Sequence, residues 1–383
     1  MTVQNSKPLK VLVVDDTVVY RKIVTDVLTD LPGVEVVGTA NNGKIALSKI
    51  FSLKPDLLTL DIEMPVMNGL ELLARMRKEA PDVGAIMLST LTQRGGEMTM
   101  KALELGAFDF VPKPQNDTAE ENRKAIKDAI FPMIRAYTRK KEIAKILGGT
   151  SALSSTREDK KKAHLLSGAK KPDQTLRGRR EKSEIVAIGI STGGPNALAE
   201  MMPRLSGDLG VPILIVQHMP PVFTKSLASS LNSRCALEVK EAINGEQIRA
   251  NIAFIAPGGK QMKIVAGADG RQRVIRITDD PPENSCKPSA DFLFRSVAEH
   301  YVGRATGVIM TGMGSDGTKG LELMSRNGAT VIAQDEKTSV VYGMPKEAVD
   351  AGIVDVIAPL HRIADEIRKT IKHPVADNRL NEL

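Results

Sequence analysis

Five short apolar segments, each followed by a stretch of helix length, organise the first third of this sequence. The segments are rich in Val, Leu and Ile, which is typical of strands buried on both faces of a parallel sheet. Strands that alternate with helices form parallel sheets with right-handed crossovers, so this part of the chain is constrained to an α/β fold. We predict strands at residues 11–14, 34–37, 57–60, 85–88 and 108–111.

The length of 383 residues exceeds that of a typical single domain, which has about 100 to 200 residues. No apolar run approaches the roughly 18 residues of a membrane span, and residues 1–9 lack the apolar centre of a signal peptide. We therefore expect two or three domains in a cytoplasmic protein. Cys235 and Cys286 show neither zinc-site spacing nor a disulfide framework, and we expect both to be inert buried thiols.

The net charge of +7 is concentrated in one stretch of the sequence. Residues 157–182 hold ten basic and four acidic residues, and few large apolar residues lie there or in residues 148–155. This composition is typical of a solvated linker between two domains. A basic contact surface is the alternative interpretation.

Charged and hydroxyl side chains follow four of the five predicted strands. They are Asp15 and Asp16 after the first strand, Asp61 after the third, Ser89 and Thr90 after the fourth, and Lys113 after the fifth. The carboxyl ends of parallel strands meet at one edge of a sheet, so these groups converge. Three converging carboxylates repel one another unless a hard cation takes up their charge, which predicts Mg²⁺ at Asp15, Asp16 and Asp61.

Mg²⁺ together with Lys113 suits phosphoryl transfer onto a carboxylate, because both cations neutralise the incoming phosphoryl oxygens. On this interpretation Asp61 accepts the phosphoryl group. Taken singly, Asp15 can instead cap the helix that begins near Val18, and Asp61 can be a turn residue before residues 64–65. The combination with Lys113 favours the phosphoryl site.

Four motifs stand in order along residues 9–130. They are Val13-Val14-Asp15-Asp16, residues 61–69 (DIEMPVMNG), Ser89 after the fourth strand, and Phe110-Val111-Pro112-Lys113-Pro114. In this order they resemble the receiver domain of bacterial response regulators. The resemblance implies a flavodoxin-like fold of five βα units, phosphorylation of Asp61 by a histidine kinase, and Mg²⁺ bound with the help of Asp15 and Asp16. It further implies that Ser89, preferred to Thr90, contacts the phosphoryl group, that Lys113 pairs with it, and that Phe110 is the switch aromatic.

A glycine-rich turn between a predicted strand and a predicted helix opens the second half of the sequence. The apolar run 185–190 leads into Ser191, and residues 196–205 have a helical pattern with Pro195 in the first turn. Residues 189–193 fit the pattern G-x-S-x-G, in which glycines permit the sharp turn that exposes a serine nucleophile. A phosphate-binding loop is the alternative, since such a turn also presents backbone N–H groups to an anion.

Two further strand ends supply an imidazole and a carboxylate. His218 follows one apolar run, and Asp316 lies in the glycine-rich segment 311–317 that follows another. Taken singly, His218 can be structural and Asp316 can cap the helix predicted at residues 318–326. Together with Ser191 they supply the nucleophile, the base and the orienting carboxylate of acyl-transfer chemistry.

The chain order Ser, His, Asp differs from the order Ser, Asp, His of α/β-hydrolases, so the G-x-S-x-G match does not indicate that family. Backbone N–H groups at Met313 and Gly314 can supply part of an oxyanion hole, because glycine lets the chain approach a developing negative charge closely.

Five motifs stand in order over residues 183–375. They are residues 188–195 (IGISTGGP), 217–220 (QHMP), 256–259 (APGG), 311–317 (TGMGSDG) and 340–345 (VVYGMP). They resemble the catalytic domain of chemotaxis protein-glutamate methylesterases, the CheB family, in which a receiver stands in front of that domain. The resemblance implies an α/β domain with a largely parallel sheet. It also implies that Ser191 is the nucleophile, His218 the general base and Asp316 its orienting partner, with Thr192 and the Met313 backbone assisting.

The same resemblance implies the substrate and the partners. The substrate would be γ-glutamyl methyl esters of chemoreceptors, with methanol and glutamate as products, and receptor glutamines would be deamidated. The ester reaction would need no cofactor, and the enzyme would be recruited to receptor arrays without nucleic-acid binding or membrane insertion. We divide the chain into a receiver (9–130), a helix extension and basic flexible linker (131–182), and a catalytic domain (183–375).

The joining of a phosphorylatable domain to a hydrolase domain suggests a switch. Our hypothesis is that the unphosphorylated receiver covers the Ser191 cleft and that phosphorylation of Asp61 favours an open arrangement, which the predicted linker permits.

Two other functional classes are consistent with parts of the sequence. A DNA-binding output domain agrees with the positive charge, but that charge lies in the predicted linker and no compact helix-turn-helix pattern follows it. A nucleotide-binding module would use residues 189–194, but no Lys-Ser/Thr pair follows the glycines and G-x-G-x-x-G is incomplete.

Overall fold

The computed structural model of the chain describes residues 7–149, 181–268, 270 and 272–371. These residues form two α/β units, each built on its own parallel sheet, which we call the N-terminal and C-terminal units. Most of the predicted linker lies outside the described residues. Within the described ranges, no helix combines the length and the apolarity that crossing a membrane requires.

The N-terminal unit has all five predicted strands in one parallel sheet, in the order β2-β1-β3-β4-β5. The strands are β1 (Leu9–Val14), β2 (Val34–Ala40), β3 (Leu57–Asp61), β4 (Gly84–Ser89) and β5 (Asp109–Pro112). The helices are α1 (Val18–Thr29), α2 (Gly43–Leu53), α3 (Gly69–Glu79), α4 (Gln93–Glu104) and α5 (Ala119–Gly149). The predicted α/β class with five βα units is confirmed for this part of the chain.

Side-chain caps fix where several of these helices begin, and α2 and α3 are examples. The Asn42 side chain accepts a first-turn N–H of α2, and Asn68 with Glu71 forms a reciprocal capping box at α3. The alternative role of Asp15 as a helix cap is wrong. The N-cap of α1 is Thr17, and Asp15 instead stays at the sheet edge.

Helix α5 is 31 residues long and crosses the boundary that we placed at residue 130. Tyr137, beyond that boundary, donates a hydrogen bond to the carbonyl of Asp56 at 2.9 Å and accepts one from the N–H of Gly84 at 3.0 Å. The ring of Phe108 packs edge-on against Tyr137. The extension is therefore anchored to the N-terminal sheet, at the ends where β3 and β4 begin.

The C-terminal unit has a seven-stranded sheet in the order β14-β13-β12-β6-β7-β9-β8, with every neighbouring pair parallel. Its strands are β6 (Ile185–Ile190), β7 (Ile213–Gln217), β8 (Glu238–Glu241), β9 (Ile252–Ile255), β12 (Ala305–Ile309), β13 (Thr330–Gln334) and β14 (Val356–Ala358). β10 (Gln261–Ala266) and β11 (Arg273–Thr278) form a separate two-stranded antiparallel sheet. The helices are α6 (Gly194–Met201), α7 (Phe223–Asn232), α8 (Ala290–His300), α9 (Thr318–Arg326), α10 (Met344–Asp350) and α11 (Leu360–Ile371).

Strand β6 lies at the centre of this sheet, between β12 and β7, and all six of its residues are buried. Helix α9 has the bounds predicted for residues 318–326. The helix predicted at 196–205 instead begins at Gly194 and ends at Met201, followed by a 3₁₀ turn over Met202–Arg204. Pro203 explains the early end, because proline has no N–H with which to continue the i→i−4 hydrogen bonds of the helix.

The two units pack against each other through α4 and β5 of the first and α6 and α7 of the second. The rings of Phe110 and Phe223 lie 4.7 Å apart between their centroids. At the rim of this contact, Glu104 pairs with Arg234 at 2.6 Å. An aromatic contact with a charged rim thus joins the last strand of the N-terminal sheet to the first long helix after β7.

Candidate functional site

Ser191 stands where β6 ends and a tight turn leads into α6. Its backbone N–H donates to the carbonyl of Thr311 at 2.9 Å, which ties this turn to the segment after β12. Gly193 has φ of +74°, a conformation that favours glycine. A Cβ on Gly312 would lie 2.7 Å from the Cβ of Ser191, so only glycine permits this approach.

His218 follows β7, and its side chain faces a carboxylate from the segment after β12. Nε2 of His218 lies 2.8 Å from Oδ2 of Asp316, with the two side chains 13% and 2% exposed. Within the described part of the chain, Ser191 Oγ forms no hydrogen bond with the imidazole, as is common in the absence of substrate. Because Asp316 occupies Nε2, Nδ1 is the ring nitrogen left to accept a proton from the serine.

Asp316 is held by a dense set of donors at the N-terminus of α8. Its Oδ1 accepts from Ser289 Oγ at 2.7 Å and Asn284 Nδ2 at 2.9 Å, and its Oδ2 accepts from the N–H of Ala290 at 2.6 Å. The alternative that Asp316 caps α9 is wrong, because the N-cap of α9 is Gly317. These donors instead hold the ionised carboxylate in position beside the imidazole.

Burial alone would lower the pKa of His218, but hydrogen bonds with Asp316 and Cys286 outweigh it and raise that pKa to about 9. Burial acts to raise the pKa of Asp316, and the hydrogen bond and charge of His218 outweigh this and lower it to about 2. An imidazolium paired with a carboxylate is therefore the resting form at neutral pH.

The candidate oxyanion donors lie beside Ser191. In the portion of the chain that the structure describes, the backbone N–H groups of Thr192 and Met313 donate to no other group. The Met313 side chain is 52% exposed, and the residue before it, Gly312, packs against Ser191. Among the described residues neither N–H group has a protein acceptor, as is required of donors to an oxygen that develops charge.

Two residues near the site carried no role in the sequence-based interpretation. Gln217 is buried, and its Nε2 donates to the carbonyls of Ser191 at 3.0 Å and His218 at 3.2 Å, which fixes both strand ends. Its place immediately before His218 was the available signal. The expectation that both cysteines are buried is wrong, because Cys235 and Cys286 are each partly exposed. Sγ of Cys286 also lies 3.6 Å from His218 Nδ1.

The edge of the N-terminal sheet gathers the predicted acidic cluster. One oxygen from each of Asp15, Asp16 and Asp61 lies within 4.8 Å of the others. Lys113 Nζ lies 2.8 Å from Asp15 Oδ2 and 2.7 Å from Asp61 Oδ2. Burial raises the pKa of Asp61 to about 6, and Lys113 opposes that shift. One ammonium against three carboxylates leaves a hard-oxygen donor set that fits Mg²⁺, and the exposed Asp16 leaves room for its waters.

The hydroxyl of Ser89 is buried and does not face this cluster. It donates to the carbonyl of Gly95 at 3.2 Å and accepts from Thr99 Oγ1 at 2.7 Å, so α4 holds it. To reach a phosphoryl group on Asp61 it has to leave these partners. Thr90, the other hydroxyl considered, is more exposed and lies near Thr92.

Comparison with known proteins gives two family matches on this chain. The CheB methylesterase model matches residues 186–367, and the response regulator receiver domain model matches residues 11–126. The protein-glutamate methylesterase/protein-glutamine glutaminase of Desulfotalea psychrophila is 57% identical over 367 residues, which cover 96% of this chain and 99% of that protein. The chain belongs to the CheB family of protein-glutamate methylesterases/protein-glutamine glutaminases.

Other relatives are less similar. The protein of the same name from Trichodesmium erythraeum is 42% identical, with 94% of this chain and 99% of that protein covered. The solved CheB methylesterase catalytic domain of Thermotoga maritima is 40% identical, covers 49% of this chain and 99% of that domain, and has a TM-score of 0.48. We refer below to the receiver and methylesterase domains.

The receiver domain contacts the turn that carries Ser191. Oδ2 of Asp109, the first residue of β5, accepts a hydrogen bond from the N–H of Gly193 at 2.8 Å. Nδ2 of Asn196 donates to a backbone carbonyl of the loop between α4 and β5 at 3.0 Å. Burial raises the pKa of Asp109 to about 6, while hydrogen bonds from the backbone of Gly193 and Phe110 oppose the shift. A fully buried receiver carboxylate is therefore bonded to the residue two positions after Ser191.

Proposed function

We propose that this protein is a phosphorylation-activated serine esterase. It hydrolyses glutamate γ-methyl esters on chemoreceptors, releases methanol in chemotactic adaptation, and deamidates receptor glutamines. The observation that carries the proposal is the placement of Ser191, His218 and Asp316 at three adjacent strand ends of one sheet. The names of the relatives support the substrate class.

The first half of the reaction forms an acyl-enzyme. Ser191 Oγ attacks the ester carbonyl carbon while His218 Nδ1 takes its proton, and Asp316 stabilises the imidazolium through Nε2. The backbone N–H groups of Thr192 and Met313 stabilise the oxyanion. The C–O bond to the methoxy group then breaks, and His218 returns its proton to the leaving oxygen, which departs as methanol.

The second half returns the free enzyme. Water gives a proton to His218 Nδ1 and attacks the acyl carbon, and collapse of the tetrahedral intermediate releases glutamate and protonates Ser191 Oγ. A glutamine substrate follows the same path with ammonia as the leaving group. The ester reaction needs no cofactor, since every proton transfer is served by His218.

The raised pKa of His218 predicts a pH-dependent rate. Only the neutral imidazole accepts the serine proton, so kcat/KM for methanol release is expected to rise between pH 6.5 and about 9. The measurement is methanol release from methylated receptor membranes across this range, with circular dichroism as a check on folding. A rate that is flat above pH 7 would contradict the assignment of His218 as base.

The same pair makes stability pH-dependent with a defined sign. The pKa of His218 is raised above 6.5, so its stabilising contribution is complete below pH 6.5 and is lost as pH rises through about 9. The pKa of Asp316 is lowered from 3.8 to about 2, so its contribution is present above pH 3.8 and is lost as pH falls through about 2. Both contributions describe one ion pair.

The receiver domain supplies the proposed regulation. A histidine kinase phosphorylates Asp61, with Mg²⁺ held by Asp15, Asp16 and Asp61 and with Lys113 pairing with the phosphoryl group. Mg²⁺, when bound, supplies positive charge to the phosphoryl oxygens. The tilted packing of the proposed switch residue Phe110 against Phe223 supports a path from the phosphorylation site to the methylesterase domain. Recruitment to receptor arrays belongs to the same proposal.

Removal of Mg²⁺ is expected to abolish activation without affecting basal activity. With a small phosphodonor, methanol release by the full-length protein is expected to rise in Mg²⁺ and to stay basal in EDTA. Methanol release by Asp61→Asn is expected to stay at the basal rate under both conditions, because this variant lacks the acceptor carboxylate. Activation that survives in Asp61→Asn would contradict the assigned phosphorylation site.

The hydrogen bond from Gly193 to Asp109 supports the inhibitory half of the switch, because it holds the receiver domain beside the nucleophile. Asp109→Asn is expected to raise basal methanol release severalfold and to reduce the further gain from a phosphodonor. Asp30→Asn, which changes a carboxylate that pairs with Arg123 within the receiver domain, is the matched control. An unchanged basal rate in Asp109→Asn, with normal activation, would show that this contact does not restrain the enzyme.

A further inference from the structure

The thiol of Cys286 lies against the imidazole of the proposed catalytic site, and the ester mechanism does not use it. Sγ is 3.6 Å from Nδ1 of His218, whereas Asp316 contacts the other ring nitrogen, Nε2. One ligand atom from each of His218, Cys286 and Asp316 lies within 4.8 Å of the others. We propose that Cys286 and His218 bind a thiophilic divalent cation of the zinc class, and that this cation reversibly inhibits the enzyme. The binding stands on geometry alone, whereas the inhibition rests on the function proposed above for His218.

The spacing of the two ligand atoms matches a zinc site. Tetrahedral Zn²⁺ with Zn–S of about 2.3 Å and Zn–N of about 2.0 to 2.1 Å places sulfur and nitrogen roughly 3.6 Å apart. The structure has the same separation between Sγ and Nδ1. A soft thiolate and an imidazole also select Zn²⁺ and related ions over Mg²⁺, which prefers the oxygen cluster of the receiver domain.

The other side of the imidazole has the arrangement of a metal-binding histidine. Histidines that bind metals generally donate their second N–H to a carboxylate, which fixes the tautomer and leaves a lone pair for the metal. Nε2 of His218 is 2.8 Å from Asp316, and Asp316 is itself anchored by Ser289. Nδ1 therefore faces the cysteine without rearrangement of the ring, and it is available to the metal once its proton has left.

The loop that carries Cys286 is fixed over the ring. The N–H and carbonyl groups of Glu283 and Cys286 bond each other at 3.0 Å and 2.8 Å, which closes a tight turn. Between them, Asn284 donates through Nδ2 to Asp291 and Asp316, both at 2.9 Å. Cys286 is partly exposed, so a hydrated cation reaches it from solvent. Two protein ligands and water then complete the coordination.

Occupation of this site blocks catalysis for a chemical reason. The cation forms bonds to Sγ and to Nδ1, and the thiol proton and the Nδ1 proton of the imidazolium both leave to solvent, with no change in oxidation state. The lone pair that would take the proton of Ser191 is then bound to the metal. Ser191 stays protonated and is a poor nucleophile.

Co²⁺ is a suitable spectroscopic probe, because its thiolate complexes absorb in the near ultraviolet and its complexes with oxygen ligands do not. The full-length protein is titrated with Co²⁺ in excess Mg²⁺, which keeps the receiver cluster occupied. We expect a thiolate-to-Co²⁺ absorption that saturates at one equivalent. Cys286→Ser is expected to abolish it, and Cys235→Ser is the matched control that retains it. Burial raises the pKa of Cys235 to about 11, which keeps that thiol protonated.

Zn²⁺ is then added to the methanol-release assay. We expect inhibition of at least tenfold in the wild type and in Cys235→Ser, reversal by a chelator, and resistance in Cys286→Ser. The Co²⁺ titration and the Zn²⁺ inhibition assay are both repeated with Cys286→Ala. Thermal unfolding identifies any variant that is not folded. Absence of the absorption, or its persistence in both Cys286 variants, overturns the metal site. Absorption without inhibition overturns the inhibitory role and contradicts His218 as the base, so the two proposals fail separately.

Discussion

Replacement of Ser191 by alanine is expected to reduce methanol release from methylated receptor membranes by roughly 10⁴-fold or more, as the loss of a serine nucleophile does in other hydrolases. The physical reason is that Ser191→Ala removes the only atom that forms the acyl-enzyme in the proposed mechanism. The Cβ stays, so the contact with Gly312 and the turn into α6 are preserved. The variant is therefore expected to fold and to unfold at the wild-type temperature.

The assay compares the purified full-length protein with its variants, each with and without a phosphodonor and Mg²⁺. Ser233→Ala is the matched control, because this serine is exposed at the end of α7. Phosphorylation of Asp61 in Ser191→Ala shows that the receiver domain is intact. If Ser191→Ala keeps a rate within tenfold of the wild type, the nucleophile is another group. If the wild type releases no methanol from receptors shown to be methylated, the methylesterase domain has a binding role.

Asp316→Asn is expected to lower kcat by about 10³- to 10⁴-fold, an effect comparable to that of the same change in serine proteases. The amide carries no charge to stabilise the imidazolium. Its NH₂ group also has to face a donor, because Ser289, Asn284 and Ala290 all donate to the carboxylate. The loss of a buried ion pair with unpaired donors is expected to destabilise the fold by about 2 to 5 kcal/mol.

A variant of a neighbouring carboxylate distinguishes the loss of kcat from the loss of stability. Asp291 is also buried and accepts from the N–H of Gly320 at 2.6 Å, but it does not contact His218. Asp291→Asn is expected to lower the unfolding temperature while keeping kcat within tenfold. Asp316→Asn is further expected to move the midpoint of the pH–rate profile well below 9, because the carboxylate that retains the imidazole proton is gone. Unchanged kcat and pH profile in Asp316→Asn would remove Asp316 from the mechanism.

The fold followed from the sequence to a large extent, because alternation of apolar runs with helix-length segments is a local signal. The five strands of the receiver domain and the bounds of α9 agree with the predicted positions. The end of α6 at Met201 departs from the prediction because Pro203 has no N–H with which to continue the helical hydrogen bonds. The extension of α5 beyond residue 130 is anchored by Tyr137, which bonds to Asp56 just before β3 and to Gly84 at the start of β4, both distant in sequence.

The sequence predicted part of the candidate site. The positions of Ser191, His218 and Asp316 after parallel strands made their convergence predictable, because the carboxyl ends of such strands share one edge. The atoms they use were not predictable, since the choice of Nε2 for Asp316 depends on how the side chains pack. The buried hydroxyl of Ser89 shows the same limit, because its rotamer is set by α4 and not by its place after β4.

By itself, the sequence determined the α/β class, the two domains' motifs and the residue types that meet at each sheet edge, since periodicity and turn residues act over a few neighbouring positions. Only the tertiary structure decided that Asp316 accepts a hydrogen bond from the N-terminus of α8, that Asp109 accepts one from Gly193 and that Cys286 contacts His218. These contacts join residues 26 to 84 positions apart. Their formation depends on the packing of whole elements, which no local pattern encodes.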